Sequence, residues 1–275
     1  MAGRPVACPA PKASIPVLGL ELAGLSLFFK PDHAGIISIF KRRYGRFSGR
    51  GSRGYTFSVS AAAGRQTPFK PSVVLEGSRL ELARGDFRAV LDMGRRSGEL
   101  RAAPNEQCLD AFLRSLTSFF LNRAGGFMLH SAGLVKDGKA YIFLGKSGAG
   151  KSTLSKLAAS RPGVELISDE INLLRREKGR WRVHGSPFWG EMRADGRPGS
   201  WPLGGILLMS KFPEHRIKPC TVPEALRLLL RCSVNFEAGP GTSERALSAA
   251  AALLAGAEFR RLYFSKKDNS FLELV

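Results

Sequence analysis

Cysteine and histidine are scarce in these 275 residues, with four of each. The cysteines, Cys8, Cys108, Cys220 and Cys232, are far apart, form no CxxC pair and have no histidine at ligand spacing. That excludes a disulfide framework and a cysteine-based zinc site, and leaves thiols of a reducing cytoplasm. Long apolar runs are also missing. The longest uncharged helix-compatible run, Ala246 to Ala257, falls short of the ~20 residues that cross a bilayer, so no membrane association is expected. Arg4 and Lys12 precede an apolar stretch from Ile15 to Phe29, an order shared with secretory signals, but Glu21 interrupts it and the stretch reads as strand. A soluble, cytoplasmic protein is the expectation.

Acidic residues are the other shortage. Against 42 Lys+Arg stand 23 Asp+Glu, a formal charge of +19. The excess is spread along the chain, 19 basic against 9 acidic up to residue 125 and 23 against 14 beyond it, so no basic tail stands apart. Such a surface attracts polyanions, and only the sign of the partner follows from it.

What is present divides into two stretches, a strand-rich module over residues 1–104 and a second domain over 105–275. Apolar runs at Leu25 to Phe29, Ile36 to Phe40, Tyr55 to Val59 and Ser72 to Leu75 are broken by Gly, Pro, Asp and Ser, as short strands are. Lys41 to Arg53 holds six basic residues and no acidic one, with Tyr44 and Phe47 interleaved. It reads as a solvated hairpin loop, with contact to nucleic acid or an acidic partner as the sharper alternative. From Asn105 to Arg123 the residues Leu109, Phe112, Leu113, Leu116, Phe119 and Phe120 recur at helical steps, and Gly125-Gly126 ends the pattern.

A strand near Phe127 to His130 follows, then an Asp-Gly turn within Lys136 to Lys139 and a strand from Ala140 to Leu144. Next come a helix from Ser152 to Ala159, a strand from Val164 to Ile167 and a hairpin turning at Lys178-Gly179. A buried strand is expected at Gly205 to Met209 and a helix at Val222 to Arg231. Thr242 or Ser243 is expected to cap a helix from Glu244 to Ala255, and Arg260 to Ser265 to form the last strand.

Between the strand ending at Leu144 and the following helix lies Gly145-Lys146-Ser147-Gly148-Ala149-Gly150-Lys151-Ser152, a complete G-x-x-x-x-G-K-[ST]. Glycines let such a loop bend tightly and present backbone N–H groups to phosphate oxygens, while the helix adds free N–H donors and the positive end of its dipole. Lys151 is then expected to reach the β- and γ-phosphates, Ser152 to complete a Mg²⁺ shell and Thr153 to touch the α-phosphate. Asp169, at the tip of the next strand, would lie beside those phosphates, where a carboxylate holds metal or accepts a proton, with Glu170 next to it. His130 is a third candidate. Glu191 and the stretch from His184 to Gly190 read either as a Gly/Pro turn with aromatic packing or as a cover over the site, while His33, His184 and His215 are read as packed or surface residues.

Leu129-His130-Ser131-Ala132, Gly145 to Thr153 and Ile167-Ser168-Asp169-Glu170 are spaced as in the HPr kinase/phosphorylase family, and the resemblance covers roughly residues 125–209. It implies an α/β kinase domain of the phosphoenolpyruvate-carboxykinase-like P-loop type with a mixed sheet, ATP and Mg²⁺, and phosphorylation of a serine on a protein or peptide. By the same resemblance Asp169 is the base toward the serine and His130 is the family's histidine before the loop; from the loop and the strand end, Ser152, Asp169 and Glu170 are the residues expected at the metal. Three departures stand out. Glu170 replaces an Asp, the C-terminal Arg/Asn-rich signature is missing, and the N-terminal stretch is unlike that of true HPr kinases. HPr and a ribosomal peptide are therefore both expected acceptors, with an ATPase or switch as the alternative function. Self-association and nucleic-acid binding are left open.

Overall fold

Alternation of apolar and polar side chains builds the first sheet. In the computed structural model, which describes residues 15–49, 51, 53–67, 70–193 and 196–275, β1 (Leu18–Leu22) and β2 (Leu25–Pro31) form a hairpin. Arg4, Cys8, Lys12 and Arg50 lie outside the described residues. The hairpin turns at Ala23 and Gly24 with φ of 50° and 77°, the left-handed pair that matches the twist of two antiparallel strands. β2 runs parallel to β3 (Tyr55–Ala61), and β3 parallel to β7 (Ser97–Ala102). An antiparallel meander of β7, β6 (Phe87–Asp92), β5 (Arg79–Arg84) and β4 (Ser72–Glu76) completes seven strands.

Two parallel neighbours need a crossover, and this is where the sequence reading fails. Ile36 to Phe40 is not a strand: α1 (Ala34–Ile39) is followed by a π-helical turn over Phe40–Tyr44 and a 3-10 turn over Gly45–Phe47. Nor is the basic stretch from Lys41 a solvated hairpin, because Arg43, Tyr44 and Phe47 are buried. The helical spacing of Ile36, Phe40, Tyr44 and Phe47 was in the sequence. Ring packing against the sheet outweighed the local break signals: Phe40 lies 4.6 Å from Phe29 between ring centroids.

α2 (Glu106–Arg123) starts at Asn105, whose side chain accepts the Cys108 amide, and ends before Gly125, at φ 69°. Its apolar stripe lies against the first sheet, with the Phe112 ring 5.5 Å from Phe57 and 5.8 Å from Phe87. Burying each such side chain contributes about 1.5–3 kcal/mol. Met128, Leu173 and Phe188 of the following chain join the same apolar cluster as Phe29 and Phe112.

The second sheet is built on β8 (Phe127–Lys136) and β9 (Lys139–Leu144), which form a hairpin turned at Asp137-Gly138. β10 (Val164–Ser168) and β11 (Ile171–Glu177) both run antiparallel to β8, and β12 (Arg180–His184) returns beside β11. β13 (Ser200–Lys211) is parallel to β9 on one side and to β15 (Phe259–Phe264) on the other, and β14 (Arg216–Pro219) forms the edge beyond β15. α3 (Lys151–Ala159) covers one face, where Leu154 and Ala158 meet Phe143, Leu207 and Leu262. α4 (Val222–Cys232) and α5 (Thr242–Gly256) cover the other through Leu229, Ala250 and Leu253 against Ile142, Leu144 and Ile206.

The result is an α/β molecule of two mixed sheets and, among the described residues, five α-helices. Its ends differ from expectation in two places. α5 is capped by Gly241 in the left-handed conformation, with no side-chain cap, so neither Thr242 nor Ser243 plays that part. His130 sits within β8, not at its end, because the strand continues to Lys136. Among the described residues no helix is long and apolar enough to cross a membrane. Cys108, Cys220 and Cys232 are free thiols.

Candidate functional site

β9 ends at Leu144, and the chain turns through Gly145–Gly150 into α3. Gly148 and Gly150 have φ of 76° and 103°, which side chains with a Cβ rarely adopt, and a Cβ on Gly145 would stand 2.7 Å from that of Ala149. α3 has no side-chain cap at Gly150, so its first amides are open to an anion. The Lys151 ammonium, buried under the loop, donates to the carbonyls of Gly145 (3.0 Å) and Lys146 (3.4 Å). Burial lowers its pKa, against the opposing influence of Cys232 and Glu191.

Asp169 and Glu170 interrupt what is otherwise one long strand. The register against β8 continues across them, Ser168 opposite Gly133 and Ile171 opposite His130. The Ser168 hydroxyl accepts the amides of Glu170 (3.2 Å) and Ile171 (3.0 Å), which bends the chain at that point. Asp169 is 5% exposed, and its carboxylate accepts the Met192 amide at 3.0 Å. Glu170 is gripped by Arg114 of α2 through two bonds of 3.2 and 3.1 Å. The two adjacent acids thus have different partners.

A cavity of about 450 Å³ brings these groups together: His130, Ser147, Gly148 and Gly150 to Thr153 of the loop and helix start, Asp169, Glu170, and Trp189 to Glu191. Lys266, just beyond β15, also lines it. Shielding by the cavity walls, and then the charge of Lys151, lower the His130 pKa, while Glu170 opposes them. Of the other histidines, His33 accepts the Gly35 amide, and His184 and His215 stand 3.2 Å from Glu177 and Asp268.

Of the stretch from His184 to Glu191, Trp189, Gly190 and Glu191 line this cavity, held by two arginines from outside it. Arg43 places its guanidinium 3.2 Å from the Trp189 ring centre and donates to the Pro187 carbonyl. Arg114 donates to the Trp189 carbonyl at 3.1 Å and to Asp110 at 2.6 Å. Burial works against the Arg114 charge, but Asp110 and Glu170 outweigh it and raise its pKa above the ordinary value. In the sequence Arg43 reads only as part of the basic stretch open to nucleic acid or an acidic partner, and Arg114 carries no site signal, although Asp110 and Arg114 at i, i+4 on a helix are a readable pair. For Lys266 no local signal exists.

The cover fits over Asp169 because Gly190 has no side chain. A Cβ there would lie 2.6 Å from one carboxylate oxygen and 2.7 Å from the other. Gly190→Ala is expected to push the Gly190–Met192 turn off Asp169, break the Met192 bond and destabilise the protein by about 1–3 kcal/mol. Chemical denaturation measures this. Stability equal to that of the original chain would mean that the turn does not rest on the carboxylate.

Among the described residues no cluster of three or more His, Cys, Asp or Glu is arranged to hold a metal ion by itself. The cavity offers one hydroxyl, Ser152, and the carboxylates of Asp169, Glu170 and Glu191, oxygen donors of the kind Mg²⁺ takes when phosphate oxygens complete its shell.

No family model matches the chain, and no curated protein does. Among solved structures, the HPr(Ser) kinase/phosphatase from Coxiella burnetii is similar over 46% of this chain and 89% of its own, with 16% identity and a TM-score of 0.26.

Proposed function

We propose that the chain is a serine kinase that transfers the γ-phosphoryl group of ATP to a serine hydroxyl of a protein or peptide, HPr or a ribosomal peptide. One observation carries the reading: the phosphate-binding loop and a buried carboxylate, Asp169, share a single cavity with His130. The loop amides and Lys151 would hold the triphosphate, with Lys151 exchanging its bonds to Gly145 and Lys146 for phosphate oxygens. Asp169 would take the proton of the serine as its oxygen forms the new P–O bond and the bond to the departing ADP breaks. Ser152 and a cavity carboxylate would hold Mg²⁺, which would supply charge neutralisation on the phosphates. The lowering of the His130 pKa by burial and by Lys151 favours its neutral form, which limits the positive charge beside Lys151.

An ATPase without an acceptor needs a carboxylate to prepare water. Glu170, the residue for that task, is occupied by Arg114, which favours the kinase. The test is to incubate the purified chain with γ-labelled ATP and serine peptides encoded beside its gene, or HPr from its source. Label is expected on serine. Release of free phosphate at the same rate without acceptor, lost in Glu170→Gln, would replace the kinase with the ATPase.

A further inference from the structure

A second cavity, of about 560 Å³, opens on the other side of the same loop. It shares Ser147 and Gly148 with the first, but no residue of α3 lines it, neither Lys151, Ser152 nor Thr153. A triphosphate that follows the loop to the helix amides leads away from it. Its floor is apolar, from Leu208, Met209 and Leu228. Its walls carry Lys146, Lys211, Arg227, Arg231 and Arg261 against a single acid, Glu224.

The acid is already engaged. Glu224 accepts from Arg261 at 2.9 Å and closes the capping box of α4 with Thr221. The charged side-chain groups of Lys146, Lys211, Arg227 and Arg231 have no ion-pair or hydrogen-bond partner among the described residues. Four unmatched cations around an apolar floor suit an occupant with several negative charges and some apolar surface, and a neutral nucleoside supplies no such charge.

We infer that this cavity docks an acidic segment of the phosphoryl acceptor, which then runs over Ser147 and Gly148 to bring its serine to Asp169; this rests on the kinase reading above. The occupant is an acidic peptide. Its recognition is electrostatic, so it weakens as salt rises.

The test is fluorescence anisotropy with a labelled serine peptide flanked by glutamates, a counterpart flanked by glutamines, and MgATP titrated separately. The glutamate peptide is expected to bind at least about tenfold more tightly than its counterpart. That preference is expected to be lost in Arg227→Glu/Arg231→Glu and reduced in Lys211→Glu, with melting temperature and MgATP affinity unchanged. Equal binding of both peptides, or indifference to the charge reversals, would overturn the docking site. So would a matching loss of MgATP affinity, which assigns the cavity to the nucleoside, or stronger displacement by an oligouridylate than by the glutamate peptide.

The two readings fail separately. Charge-sensitive peptide binding without phosphoryl transfer removes the kinase and keeps the acidic-peptide site. Transfer to both peptides with the same KM keeps the kinase and removes the site.

Discussion

Asp169→Asn is expected to leave MgATP binding intact and to lower phosphoryl transfer by about 10²–10⁴-fold, the range that a positioned proton acceptor contributes. The substitution separates structure from chemistry. An asparagine oxygen can still accept the Met192 amide, so the turn that rests on residue 169 keeps its bond. The shape stays under Gly190, whose missing Cβ is what admits a side chain there. What changes is basicity, since an amide does not take the serine proton. Single-turnover transfer from γ-labelled ATP measures the loss, and a nucleotide titration shows that binding survives. Undiminished transfer would remove Asp169 as the base and leave the loop without its chemical partner.

Lys151→Ala is expected to abolish nucleotide binding without unfolding the chain. Burial already disfavours the Lys151 charge, so the folded protein loses little when the ammonium goes. The sign is definite. A lysine whose pKa is lowered in the folded state binds its proton less well there than when unfolded, so its full cost to stability is present below the folded pKa, shrinks as pH rises from there toward the ordinary lysine value, and is gone above that value. Its two bonds, to the Gly145 and Lys146 carbonyls, tie the loop only to itself. For the original chain, MgATP at 100 times its dissociation constant adds about 2.7 kcal/mol of stability. Thermal unfolding with and without MgATP is expected to show that gain in the original chain and none in the variant. An unfolded variant would show instead that Lys151 supports the core.

Much of the local structure was legible because its causes lie close together in the chain. α2 declares itself through Leu109, Phe112, Leu113 and Leu116 at helical spacing, and Asn105 supplies the cap within the same few residues. The turn at Lys178-Gly179 and the Asp137-Gly138 turn are likewise dipeptide signals, each realised with positive φ. The crossover after β2 was misread for the opposite reason. Ile36 to Phe40 has the composition of a strand, and the parallel pairing of β2 with β3, which no neighbouring residue announces, calls for a crossover there that α1 supplies.

The candidate site divides along the same line. The run from Gly145 to Ser152 depends on a strand, glycines and a helix that are consecutive in sequence, so the sequence alone determined the loop and the strand end that carries Asp169. Tertiary structure decided what surrounds them. Arg43 and Arg114 reach the cover at Trp189 from distant segments, and Gly190 closes on Asp169 across 21 positions of sequence. The second cavity assembles Lys146 with Arg227 and Arg231 from the other side of the sheet. Backbone conformation is set by neighbours a few residues apart, whereas charge pairing and enclosure depend on which surfaces the packed sheets and helices bring face to face.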